Sequence, residues 1–281
     1  MRIVVRLLIS TGLVLALSGF MLVEKMFAPK ADLWAFWQTH DVTSTRIVDH
    51  AAWSGFLPRY LAKAEDGTAT LAYRRVSRTD RDTLAAYITR LSGIPVRSLN
   101  RPEQLAYWIN LYNAQTVLLI VDHYPVKSIT EIKLSGGFFS GGPWGEALLK
   151  IEGQDVSLND IEHRILRPIW QDARLHYALN CASMGCPDLQ GEAFSAASME
   201  RLLDRGARSY INHPRGVEAT SRGLVLSKIY AWFAEDFGSD YRALLTHLSR
   251  YAGPDLKAVL ETTPAIDSYR YDWNLNEAGG T

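Results

Sequence analysis

Between Asn100 and Tyr124 the chain carries the pattern that most restricts its fold. Asn100 with Glu103 three residues on forms a capping-box-like start, Pro102 suits a first helical turn, and Tyr124-Pro125 supplies a stop signal. Between these signals Leu105, Trp108, Ile109, Tyr112, Thr116, Leu119 and Ile120 recur at helical spacing, which predicts a long core helix over 101–123. Such a helix needs a body to bury it. The roughly 250 residues from Asp32 to Thr281 contain no Pro/Ser-rich linker, internal repeat or low-complexity tract, and one domain of that size buries about 70–75% of its unfolded surface.

Further helices are expected around it. Ser157 and Asp160 cap SLNDIEHRIL, which Pro168 ends; 198–212 is closed by Pro214; Ser227 opens KIYAWFAEDF and Gly238 closes it; two more helices are expected at 240–251 and 254–261. Strand signals are fewer. RLHYALN at 174–180 reads as one strand, and 217–219 with 224–226 around Ser221-Arg222-Gly223 reads as a hairpin. Tyr269, Tyr271, Trp273 and Leu275 alternate with polar residues, as in a terminal strand with one apolar face. The expected class is α+β: a mostly helical single domain over 32–281 with a small antiparallel-type sheet, preceded by an N-terminal hydrophobic helix.

The 30 basic and 30 acidic residues cancel, but unevenly. Residues 1–27 hold Arg2, Arg6 and Lys25 against Glu24, a net of +2, so the remainder holds 27 basic against 29 acidic residues, a net of −2. With 21% charged residues and no Lys/Arg cluster, the footprint of a nucleic-acid binder is missing. The run from Ile3 to Val23 has the basic start and apolar stretch of an export signal, and is also long enough for a membrane anchor. Ala16 with Ser18 offers a cleavage site; Phe20 stands where lipidation requires a cysteine. Residues 1–27 are therefore expected to be a signal peptide or an inner-membrane anchor. The body then faces the periplasm or exterior, or is soluble periplasmic if the leader is cleaved. That compartment is oxidising, which bears on Cys181 and Cys186, the two cysteines of the chain.

Six strings, YWINLYNAQTVLLIVDHYPVKSI, FFSGGPWGE, SLNDIEHRILRP, RLHYALNCASMGCP, LSKIYAWFAEDF and YRYDWNLN, resemble in type and order the domain of unknown function 547 family, from about Trp53 to Asn276. The family is largely uncharacterised, so the resemblance implies little about chemistry.

Chemistry is densest at His176 to Pro187. A strand running into a turn of small residues presents a nucleophile at a sheet edge, and Cys181 falls at that transition. Strict alternation would put His176 on the opposite face from Cys181. His163, with Asn159 and Asp160 one turn before it, is then the preferred base, and His176 the second choice. An imidazole near a thiol lowers its pKa from about 8.5 and makes it a nucleophile. Asn110 and Asn113 on the core helix either orient such a histidine or clamp a neighbouring loop. Three other readings stand beside the Cys/His site for acyl transfer or amide hydrolysis on a peptide or cell-envelope substrate. Cys181–Cys186 can be a structural disulfide in a non-catalytic binding or scaffold module, or a redox-active pair. A metal site of His163, His176, Cys181 and Cys186 is the weakest, because the spacing lacks paired short ligand steps. No cofactor is expected. The loop from Ser135 to Trp144, rich in glycine and aromatic residues, lacks the Lys-Ser/Thr end of a phosphate loop and reads as a packed loop or one flanking a cleft. Glu103 reads as a cap, and Lys228 and Asp236 as solvent-side charges.

Overall fold

A computed structural model of the protein describes residues 30–134, 142–238 and 240–279. The expected hydrophobic leader and most of the 135–144 loop lie outside the described residues. Among the described residues no helix is long and apolar enough to cross a membrane.

About half of the structure is helical, with small sheets. The order is α1 (Ala51–Tyr60), β1 (Leu61–Lys63), β2 (Ala69–Leu71), α2 (Arg78–Ser92), α3 (Arg101–His123), β3 (Leu149–Ile151), β4 (Gln154–Val156), a π-helical segment (Asp160–Leu166) running into α4 (Arg167–Trp170), α5 (Met199–Ile211), β5 (Val217–Thr220), β6 (Gly223–Ser227), α6 (Ile229–Trp232), α7 (Tyr241–Tyr251), α8 (Pro254–Glu261) and β7 (Ile266–Arg270). Short 3-10 turns connect several of these.

The central helix forms where its end signals place it. The Asn100 side chain accepts the Glu103 N–H at 3.0 Å, closing the first turn. Every residue from Glu103 to Ile120 is buried, so α3 is enclosed on all sides rather than along one stripe. Glu103 does more than cap: its carboxylate accepts the Val48 N–H at 3.0 Å, tying the segment before α1 to the start of α3. Around α3 lies one apolar cluster containing Trp37, Trp53, Tyr107 and Trp108, and a second forms between α5, α7 and β5–β6, with Tyr177, Tyr210, Tyr230 and Leu248. Leu175, Ala178 and Leu179 belong to the first cluster and Tyr177 to the second, so the segment leading to Cys181 is wedged between the two.

Two sequence expectations change here. Residues 174–180 are not a strand. Asp172 accepts the Arg174 N–H at 2.9 Å and starts a 3-10 turn over Ala173–Tyr177, and every residue from Leu175 to Asn180 is buried, so no solvent face exists for a period of two to mark. The sheet is also not purely antiparallel. β5 and β6 form the expected hairpin, with Val217 opposite Leu226, but β7 joins β6 in parallel, with Leu226 opposite Tyr269. Beyond β7 the chain runs on without a ladder until Leu275 bridges Ser183.

Candidate functional site

The two core asparagines act as clamps. Asn113 donates to the Ala178 carbonyl at 2.8 Å and accepts the Asn180 N–H at 2.9 Å; Asn110 does the same for both backbone groups of Phe194. Each buried amide thereby satisfies itself and fixes one loop, so the hydrogen bonds of Asn110 and Asn113 go to loop backbone rather than to a histidine. Asn180 continues the work. It donates to the Pro187 carbonyl at 2.7 Å and accepts the Ala182 N–H at 2.9 Å, folding 180–187 back on itself. Ala182, fully buried, is held at φ 61°, a left-handed conformation that a residue with a Cβ keeps only where its surroundings impose it. Gly185 lies so close to Asp272 that a Cβ there would sit 2.8 Å from its backbone nitrogen. This contact presses the loop onto the segment C-terminal to β7.

Cys181 and Cys186 are joined by a disulfide. Cys181 is half-buried, whereas Cys186 is 3% exposed. The Cys181 N–H donates to Cys186 Sγ at 2.9 Å. The Tyr271 hydroxyl lies 3.0 Å from Cys181 Sγ and 3.2 Å from Cys186 Sγ. Tyr271 also accepts from the Ser183 hydroxyl at 3.0 Å, so its own proton points toward the sulfurs. Burial, with the neighbouring Tyr210 and Glu162 adding to it, pushes the Tyr271 phenol well above its ordinary range, so it remains a donor. Tyr271 packs on Trp232 and Trp273, with ring centroids 4.9 and 4.7 Å away.

The histidines form a second polar group, held by the π-helical segment. There the Arg167 N–H reaches back to the Glu162 carbonyl, five residues away, and such widened turns recur at functional sites. His176 has a carboxylate near each ring nitrogen: Asp236 at 2.6 Å from Nε2 and Glu162 at 3.8 Å from Nδ1. Its ring stacks on Phe233 at 4.4 Å. Asp236 also accepts from Arg167 Nε at 2.6 Å; burial alone would raise this carboxyl, but the hydrogen bonds from His176 and Arg167 outweigh it and hold Asp236 at about 2. Glu162 in turn accepts from the Tyr112 hydroxyl at 3.1 Å. One cleft of about 530 Å³ opens beside this group, lined by Arg167, Asp172, Glu235 and Asp236 among others.

The geometry sets the two histidines in different surroundings from those expected. His163 Nδ1 faces the Arg167 guanidinium at 3.1 Å, and burial lowers its pKa to about 4, so it is a neutral acceptor beside a fixed cation. Asp160 does not orient it. Its carboxylate caps its own turn through the Ser157 N–H and hydroxyl, at 2.9 and 2.6 Å, and pairs with Arg164 at 2.9 Å. Asp236, expected to face solvent, instead joins His176 and Arg167. The metal reading fails on the same ground. The two sulfurs are bonded to each other, His163 sits against a guanidinium, and among the described residues no three His, Cys, Asp or Glu side chains group so as to hold an ion. Local spacing could point to Cys181 and His176, but Tyr271 and Asp236 come from segments 90 and 60 residues away, and nothing within their own strings YRYDWNLN and LSKIYAWFAEDF ties them to the sulfur or the imidazole.

Residues 96–211 match the family model described as "Protein of unknown function, DUF547". No curated protein and no solved structure matches the chain. The matched stretch takes in α3 with its clamping asparagines, the π-helical segment, the 180–187 loop and α5, and stops short of Asp236 and Tyr271. Over residues 96–211, then, the chain is similar to the uncharacterised DUF547 family, a shorter stretch than the span from about Trp53 to Asn276 over which its motifs resemble that family.

Proposed function

We propose that the protein is an extracytoplasmic thiol enzyme, delivered by its N-terminal hydrophobic segment, with reduced Cys181 as the nucleophile for acyl transfer or amide hydrolysis on a peptide or cell-envelope substrate. The carrying observation is the surroundings of the sulfur. A half-buried Cys181 sits on a loop pinned by Asn113 and Asn180, with the Tyr271 hydroxyl 3.0 Å and the Ser183 hydroxyl 3.3 Å from Sγ. A thiolate at Cys181 is stabilised by the Tyr271 hydroxyl, which the Ser183 hydroxyl supports by donating to it. In this reading the thiol proton passes to the Glu162–His176 pair while the Tyr271 hydroxyl donates to the thiolate, and the sulfur attacks the acyl carbon. The amine or alcohol departs with that proton, and water then hydrolyses the thioester. His176, flanked by two carboxylates, is suited to hold a proton in transit; His163 is not.

The test is turnover of activated esters and short peptide amides by the reduced protein. Acylated Cys181 should be trapped by mass spectrometry, and Cys181→Ala should abolish turnover. Full activity in Cys181→Ala would end the proposal. The bond itself favours a second reading, a structural staple in a binding module. Closing a loop of about six residues contributes on the order of 2 kcal/mol. On that reading reduction lowers the melting temperature and releases no reactivity.

A further inference from the structure

We infer that Cys186 is a built-in redox lock on Cys181, a regulation that rests on the thiol-enzyme reading above. The two sulfurs differ in the way a lock requires. Cys181 is half-buried and is the more exposed of the two, while Cys186 is 3% exposed. Cys186 Sγ receives the Cys181 N–H at 2.9 Å and lies 3.2 Å from the Tyr271 hydroxyl, so a thiolate released at Cys186 is met by two donors already in place. The loop does not have to move to supply them. It is held by Asn113, Asn180 and the bonds from Met184 and Gly185 N–H to the chain at Asn274 and Asp272, both 2.8 Å.

The chemistry closes with an external dithiol. One of its thiolates attacks Cys181 Sγ, the Cys181–Cys186 bond breaks, and Cys186 leaves as a thiolate that then takes up a proton. The second thiol of the reductant, losing its proton, attacks the mixed disulfide and frees Cys181. In total the dithiol is oxidised to a disulfide, and two electrons and two protons pass to the cysteine pair. Reoxidation runs the same steps backward against a small-molecule disulfide. The locked protein has no free nucleophile at the site, and the reduced protein has one.

The experiment compares the full chain with Cys186→Ser and Cys186→Ala, each checked for cooperative thermal unfolding so that a misfolded variant is recognised. Iodoacetamide labelling of Cys181 and ester turnover are read before and after native treatment with dithiothreitol, and again after oxidised dithiothreitol. The expected result is an unmodified protein silent until reduced, then labelled at least about tenfold faster, with the gain reversed by reoxidation. The Cys186 variants should label and turn over without reductant. Turnover by the unreduced protein, or a bond that yields only after denaturation while the Cys186 variants are active, overturns the lock and leaves the thiol-enzyme reading standing. Folded Cys186 variants that neither label nor turn over overturn both.

Discussion

Tyr271 is the side chain on which the sulfur chemistry depends most. Its hydroxyl reaches both sulfurs at 3.0 and 3.2 Å, while its ring is held by Trp232 and Trp273. A hydrogen bond to a charged group contributes about 1.5–3 kcal/mol. Tyr271→Phe keeps the ring contacts and removes this donor. In the reduced protein it should slow Cys181 alkylation at neutral pH by roughly tenfold or more, with little change in the melting temperature. Equal rates in the two proteins would mean that the phenol does not stabilise a thiolate. Cys181 and His176 are visible in the sequence because they share one short string. Tyr271 and Asp236 leave no such sign, since their roles arise only from long-range packing. The choice of His163 over His176 rests on strand alternation, and that argument lapses with the strand.

Elements whose ends carry chemical signals are the legible ones. α3, α5, α7 and α8 lie within a residue or so of where caps, Pro and helical spacing put them, and the β5–β6 hairpin follows its turn. Residues 174–180 and the KIYAWFAEDF stretch are not legible in this way. The first is buried on nearly every side, and the second is helical only over Ile229–Trp232 before it turns to deliver Phe233, Glu235 and Asp236 to the site. The 180–187 loop is an element in its own right, and Gly185 is its contact point. A methyl group there meets both backbone nitrogen and oxygen of Asp272 within 2.9 Å. Gly185→Ala should therefore cost about 1–3 kcal/mol of stability in urea titrations, as overpacking does. Gly191→Ala, with nothing within 4 Å of its Cβ, should stay within about 0.5 kcal/mol of the unmodified protein. A loss at Gly185 no larger than at Gly191 would mean that the loop and the tail are not in tight register.

At the scale of the whole molecule, the buried and half-buried histidines set how stability responds to acid. Burial lowers His50, His163 and His247 each to about 4, from an ordinary value of 6.5. Between those values the unfolded chain binds more protons than the folded one, so stability rises with pH through this window. It is complete above about pH 6.5 and is lost progressively as the pH falls toward 4. Asp236, held at about 2 against an ordinary 3.8, extends the loss to still lower pH. Urea midpoints measured from pH 7 to 4 should fall steadily. His163→Gln, which keeps an acceptor for Arg167, should make that fall shallower by at most about 1.4 kcal/mol per pH unit. A flat profile would contradict the burial of these rings.

The near-zero net charge says little about function, whereas the joining of two clusters around one pinned cysteine loop says a good deal. The central claim is that Cys181 occupies a site built to hold a thiolate. The most direct measurement is the pH dependence of Cys181 alkylation in folded Cys186→Ser protein. The account predicts a half-maximal rate at a pH clearly below about 8.5, the value of an ordinary thiol, shifting up to it when the protein is unfolded in urea. A folded-state midpoint at or above about 8.5 would contradict it.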